Sequence, residues 1–345
     1  MNRRDVLKTF SALAGFAEYV RAQDQATPQA GRGRGGRGGR GGPSMPIPAA
    51  TKAVDYPGRL KPGVVAMTFR GELESGQITY EEIVTQAAEV GLQGFDMTGY
   101  YVPPLLKFPA GIASQMVSEM VRETPANPSS QWLASLRSTA YKNAVQIYTI
   151  GSPVKMSHET PELRQKEIAF GKKWIDIADR LGAGQVRVFA GRIPKGATEE
   201  QAVAWAVEVY KPLLDYGAEK GIFIGLEDDD ELTRSADQIL NILRLAGNHP
   251  YARINIDAGN FRRDGYNDVA KCAHLAHTTH IKTAMTTPEG GREPANWEKL
   301  FGILANNGFR GYVSMEIETN DKPLPKFAAE EIRVSRIFAG MPVPV

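Results

Sequence analysis

From Gly63 onward the chain repeats one pattern: a short strand-like run, then an amphipathic run of helical period, eight times over. Strands that alternate with helices in this way build a parallel sheet with crossover connections. The predicted strands are 63–70, 94–101, 145–152, 185–191, 222–228, 252–261, 277–284 and 311–319. The predicted helices are 79–90, 131–142, 161–181, 199–220, 236–245, 268–276, 297–307 and 327–338. Eight such units in about 280 residues have the size of a single-domain (β/α)8 TIM barrel. A doubly wound open sheet is the alternative, but it requires a glycine-rich phosphate turn after an early strand. Gly-x-Gly-x-x-Gly occurs nowhere in 63–345. The stretch 102–129, with Pro103, Pro104, Pro109, Pro125 and Pro128, is long for a connection and is expected to be a loop insertion over the active face.

Charge divides the chain in two. Residues 1–50 hold eight Lys and Arg against three acids, a net of +5, so the remainder carries 33 bases and 36 acids, a net of −3. Arg3-Arg4, followed by Val6, Lys8 and a short weakly apolar run, resembles a twin-arginine export signal, with Val20-Arg21-Ala22 as a small-residue cleavage site. The expected segments are a signal peptide over 1–22, a disordered Gly/Arg/Pro-rich linker over 23–55 and the barrel over 56–345. The Gly-Arg run 31–42 lacks aromatic residues and reads as a flexible linker in preference to an RNA-binding segment. These features place the protein in the periplasm or outside the cell, with no membrane anchor once the signal is cleaved; a cytoplasmic protein with an amphipathic N-terminal helix is the alternative. The single cysteine, Cys272, cannot form an intramolecular disulfide, which suits a chain folded before export.

In a barrel the chemistry sits where strands end, and period-two alternation says which residues face the axis. Glu227 follows the apolar run of the fifth strand and begins an acidic quartet, in which Asp228, Asp229 and Asp230 are expected to include caps of the next helix. On the sixth strand Asn255 and Asp257 share a face. The seventh offers His280 and Lys282; His277, earlier on it, belongs at the far end of the barrel. The eighth aligns Ser314, Glu316 and Glu318. Carboxylates and an imidazole converging inside a barrel need compensation, because a buried unpaired charge is costly. One divalent cation held by this mixed oxygen and nitrogen set is the economical solution, with Mn, Mg, Co or Zn suited to it. The strand pattern leaves Glu316 and Glu318 as rival ligands.

With these residues the chain resembles the sugar phosphate isomerase/epimerase superfamily, the xylose isomerase-like barrels. The resemblance covers about 63–340 and rests on Trp174–Gly191, Gly225-Leu-Glu227, Asp257-Ala-Gly-Asn-Phe261, His280-Ile-Lys282 and Gly308–Glu318. It implies metal ligands Glu227, Asp257, His280 and Glu316, the last preferred over Glu318 by position. It also implies a small sugar substrate and proton transfer beside a carbonyl through an enediolate stabilised by the metal. Glu227 and Glu316 would act as base and acid on opposite faces, with Lys282 polarising a substrate oxygen. Arg187, Asn260 and Glu318 complete the expected substrate contacts. Many relatives carry His where this chain has Asn260, which bears on substrate choice. A metal-dependent lyase or dehydratase on the same ligands, and a non-catalytic carbohydrate-binding barrel, are the alternatives. Nucleic acid is not an expected partner, since an endonuclease-type site needs more histidines than the five present and the barrel is acidic. The sequence shows no cradle for a sugar phosphate. Barrels of this kind often pair, so a homodimer stands beside the monomer.

Overall fold

Thr79 and Thr198 show how local sequence sets the elements. Each opens a helix with a capping box, Thr79 with Glu82 and Thr198 with Gln201, and each helix carries apolar residues on one face. Thr160 caps the helix Pro161–Leu181, which has Pro at its first turn and ends on Gly182 in the left-handed region at φ +77°. The computed structural model describes residues 60–103, 109, 114–123, 126–317 and 324–338. The expected signal and linker, residue Glu318 and parts of the 102–129 insertion lie outside the described residues.

Eight parallel strands close into a barrel: β1 Lys61–Val65, β2 Gly94–Thr98, β3 Gln146–Lys155, β4 Gln185–Phe189, β5 Phe223–Glu227, β6 Ala252–Asp257, β7 Ala276–Ile281 and, after a hairpin of β8 Ala284–Thr286 and β9 Arg292–Pro294, β10 Tyr312–Met315. β1 pairs with both β2 and β10, which closes the sheet in the TIM-barrel manner. Helices follow at Tyr80–Glu89, Ser130–Lys142, Pro161–Leu181, Glu199–Lys220, Ala236–Leu245, Gly265–Cys272, Trp297–Asn306 and Leu324–Phe338. Their buried faces, with Ile83, Trp174, Tyr210, Ile239 and Phe301, pack on the outward residues of the strands and form the main core. Among the described residues no helix is long and apolar enough to cross a membrane.

Several expected boundaries shift for physical reasons. Ala66–Phe69 and Gly99–Tyr101, read as strand ends, are 3-10 turns, and a helix follows the first at Arg70–Ser75. The 102–129 insertion contains a helix at Ser114–Glu123, where the expectation was irregular chain. β3 runs on to Lys155, with its register against β4 shifting between Gly151 and Lys155, a stretch that contains Pro153, which has no N–H to donate. β7 ends at Ile281, and Ala284 belongs to the hairpin.

The barrel axis is filled in layers, with glycine making room for large neighbours. A Cβ at Gly151 would run into the Arg187 guanidinium, one at Gly225 into the Gln185 amide, and one at Gly94 into the Tyr312 ring. At the floor Tyr148 and Tyr312 stack at 4.4 Å, and the Tyr148 hydroxyl donates to Ser314 at 2.7 Å. Above them Gln185 Nε2 donates to Thr278, Thr278 donates to Asn255 Oδ1, and Asn255 Nδ2 donates to Glu227 at 3.0 Å. A polar column thus rises from the middle of the barrel to its charged mouth.

Candidate metal centre and substrate cavity

β5 and β6 end on Glu227 and Asp257, and β7 carries His280 one residue before its end. Atoms of Glu227, Asp257 and His280 lie within 4.8 Å of one another, and all three residues are buried. Glu316 follows the last residue of β10. Its backbone N–H donates to Ile281 carbonyl at 2.9 Å, extending the ladder by one residue. This brings its carboxylate 3.2 Å from His280 Nδ1, while Glu227 and Asp257 stand 3.4 and 3.9 Å from the same nitrogen.

His280 is oriented from behind. Its Nε2 meets Asp96 Oδ2 at 2.6 Å, on a side chain with no exposure at all. A carboxylate only accepts, so Nε2 carries a proton, and Nδ1 faces the three carboxylates. Asp96 was missed in the sequence. Its signal was the same alternation that marks Asp257: an acid between Phe95 and Met97 near a strand end.

The remaining partners are equally specific. Arg187 Nη1 donates to both Glu227 oxygens, at 2.7 and 2.6 Å, and Nη2 stands 3.7 Å from Asp96. Lys282 Nζ lies 3.1 Å from Asp257 and 3.7 Å from Glu316. Asn260 Nδ2 donates to Asp257 Oδ2 at 2.8 Å. Asp228 does not cap the next helix, as expected of the acidic run; its buried carboxylate accepts the Asp257 backbone N–H at 2.6 Å. Ser235 caps that helix instead, and Asp230 lies 3.9 Å from both Lys155 and Arg192.

The electrostatics show a site short of positive charge. Burial pushes the Glu227 carboxyl up to about 8 against the pull of Arg187 and His280, with Asp257 adding to the rise. Burial would lower the His280 imidazole, but Asp96, Asp257 and Glu316 around it raise it well above its ordinary value. Burial likewise opposes ionisation of Glu316, yet Lys282 and His280 hold its carboxyl below the usual range. His280 Nδ1 and Asp257 Oδ1 are buried without a hydrogen-bond partner, a cost of roughly 1–3 kcal/mol each unless something else binds them. A ring nitrogen and a carboxylate oxygen without hydrogen-bond partners, aimed at one point among three acids, fit a divalent cation, which would take the place of the proton that those acids favour on Nδ1.

Over this point opens a cavity of about 330 Å³ that includes Glu227, Asp257, Glu316, Arg187, Lys282 and Asn260 in its lining, with Met67, Tyr100 and Phe189 as apolar walls. The structure therefore brings together every expected site residue that it describes. It also engages Arg187 and Asn260 with carboxylates, which leaves them less free for substrate than expected.

The family described as xylose isomerase-like TIM barrel matches residues 84–337. Among solved structures, a D-psicose 3-epimerase in the presence of D-fructose aligns with a TM-score of 0.61 at 14% identity, over 81% of this chain and 100% of that one. A 3-keto-D-glucoside 4-epimerase from E. coli gives 0.58 at 13%, over 81% and 99%. The probable 3-DHS dehydratase of petrobactin synthesis from Bacillus anthracis gives 0.56 at 15%, over 81% and 98%. At these identities the likeness is one of fold. No curated protein sequence matches the chain.

Proposed function

The chain belongs to the xylose isomerase-like TIM barrel family, and from that premise we propose that it is a divalent-metal-dependent sugar isomerase or epimerase. The observation that carries this reading is the meeting of Glu227, Asp257 and Glu316 around the open Nδ1 of His280, at the foot of a cavity with room for a small sugar. Structural neighbours, one in the presence of D-fructose and one in complex with D-allulose, agree with a ketose-sized ligand.

Glu227, Asp257, His280 and Glu316 would hold the ion. When bound, it would supply Lewis-acid stabilisation of negative charge on adjacent substrate oxygens. Glu227 and Glu316 come from strands on either side of β6 and β7, so a sugar seated between them presents one face to each carboxylate. One takes the proton from the carbon beside the carbonyl, and the other, protonated beforehand, gives up its own proton to the opposite face or the neighbouring carbon. Lys282 places an ammonium beside Glu316 and Asp257 and offsets the charge of the enediolate. Arg187 keeps Glu227 in one rotamer, and the apolar walls limit water.

The test is NMR of candidate ketoses in D₂O with the metal-loaded protein. Deuterium uptake at the carbon beside the carbonyl, with no fragment lost, is the expected result. An unsaturated product would assign a lyase, and binding without exchange a carbohydrate-binding barrel. Export by the twin-arginine route is a separate proposal, supported by Arg3-Arg4 and the run that follows. Cell fractionation checks it: Arg3→Lys/Arg4→Lys protein should stay inside the cell.

A further inference from the structure

The charges lining the cavity fall into two layers. At the foot each cation already has an acid, Arg187 on Glu227 and Lys282 on Asp257 and Glu316. The outer layer is differently built. Lys155, Arg192 and Arg262 face into the cavity there, against Asp229 and Asp230. Lys155 Nζ and Arg192 Nε each stand 3.9 Å from the same Asp230 oxygen, well beyond the ~2.7–2.9 Å of a charge-assisted hydrogen bond. Arg262 makes no ion pair among the described residues.

Lys155 and Arg192 also line a second compartment of about 220 Å³, next to the first. Its wall adds Arg122, which donates to Pro153 carbonyl and to Glu167. The segment that carries Arg192 is pinned. Gly191 takes φ +98°, where a Cβ would strike Ser157, and Ser157 Oγ donates to the Arg192 carbonyl at 2.6 Å. Glu231 accepts the Ile193 N–H at 3.1 Å. The backbone is therefore fixed while the Arg192 side chain, 65% exposed, stays available at the rim.

We infer that Lys155, Arg192 and Arg262 form a subsite for an oxyanion carried by the substrate, a carboxylate or a phosphate ester, held away from the reacting carbons and opening toward the side compartment. This rests on the isomerase reading and narrows it to acidic sugars. No contiguous motif marks it in the sequence, because Lys155 ends β3 while Arg192 and Arg262 lie in the loops after β4 and β6.

The test is calorimetric titration of the purified full chain with two matched pairs, D-gluconate against D-sorbitol and D-glucose 6-phosphate against D-glucose. At least one anion is expected to bind tenfold or more tightly than its neutral partner, to weaken as NaCl rises, and to lose that advantage in Lys155→Gln/Arg192→Gln. Preference for gluconate alone assigns a carboxylate, and for the phosphate alone a phosphate ester. Should the double variant fail to fold, Arg262→Gln, at an exposed rim position, is expected to cost about threefold or more. Equal binding within both pairs overturns the subsite, as does a preference that survives the substitutions, because the anion would then sit at the deep cation site. Deuterium exchange into neutral ketoses with no preference for acids would overturn the subsite and leave the isomerase reading standing. Anion binding lost in the variants, without exchange in any sugar, would do the reverse.

Discussion

The two ends of the barrel solve the same problem in opposite ways. At the floor the axis is closed by rings: Tyr148 stacks on Tyr312, and Phe223 lies between Tyr251 at 4.9 Å and His277 at 4.5 Å, with the Arg253 guanidinium over its face at 4.8 Å. At the mouth the axis is closed by charge, with Asp96, Arg187, Glu227, Asp257, His280 and Glu316 all buried. The floor histidine is neutral, its pKa lowered to about 4 by burial and by Arg253. The mouth histidine is driven upward by the acids around it. One end is closed by ring packing, whereas the other leaves a ring nitrogen and a carboxylate oxygen without hydrogen-bond partners. The difference separates a structural plug from a candidate binding site within a single set of strands.

The largest way to break this contrast is to remove the plug. Tyr148→Ala deletes a stacked ring and a buried hydroxyl contact, and is expected to cost about 3–5 kcal/mol in denaturant unfolding. The folded fraction should still take up one divalent ion per chain. If folded Tyr148→Ala protein loses the ion, the two ends are not independent.

A smaller effect is expected from behind the mouth. Asp96→Ala frees the His280 ring to change tautomer and orientation, and Mn²⁺ affinity should fall about 10–100-fold by calorimetry. Asp96→Asn, whose amide oxygen can still accept from Nε2, should lose less. Equal and unchanged affinities in both variants would remove Asp96 from the site.

The smallest effect sharpens the floor. His277 has a folded-state pKa near 4 against about 6.5 when unfolded. The unfolded chain therefore binds more protons between those values, so this stability is fully present above about pH 6.5 and is lost as pH falls toward 4. Allowing for the partial exposure of the ring, it amounts to about 2 kcal/mol. His277→Phe should flatten the stability–pH curve over that window, and an unchanged slope would contradict a neutral buried His277.

What the sequence disclosed follows the same division. Eight strands were legible because each carries its own local period, and so were the carboxylates of β5, β6 and β10, which stand out after apolar runs. Asp96 was harder to read because β2 is followed at once by Gly99-Tyr100-Tyr101, and the apolar run conceals where the strand stops. Asp228 looked like a cap because three acids in a row precede a helix; only the fold shows that its carboxylate turns back to the Asp257 amide. The outer cations had no signal at all, since Lys155, Arg192 and Arg262 share no motif and meet only when the barrel closes. Residues 102–129 hid a helix because five prolines outweighed the amphipathic period of Ser114–Glu123, a run that is polar on average.

The central claim is that the mouth is a divalent-cation site, and elemental analysis of the purified full chain after dialysis against Mn²⁺ tests it most directly. One ion per chain is expected, removable by chelator, and occupancy should collapse in Glu227→Gln and Asp257→Asn proteins that still fold. Full occupancy in either variant, or no ion in the unaltered chain, would contradict the account.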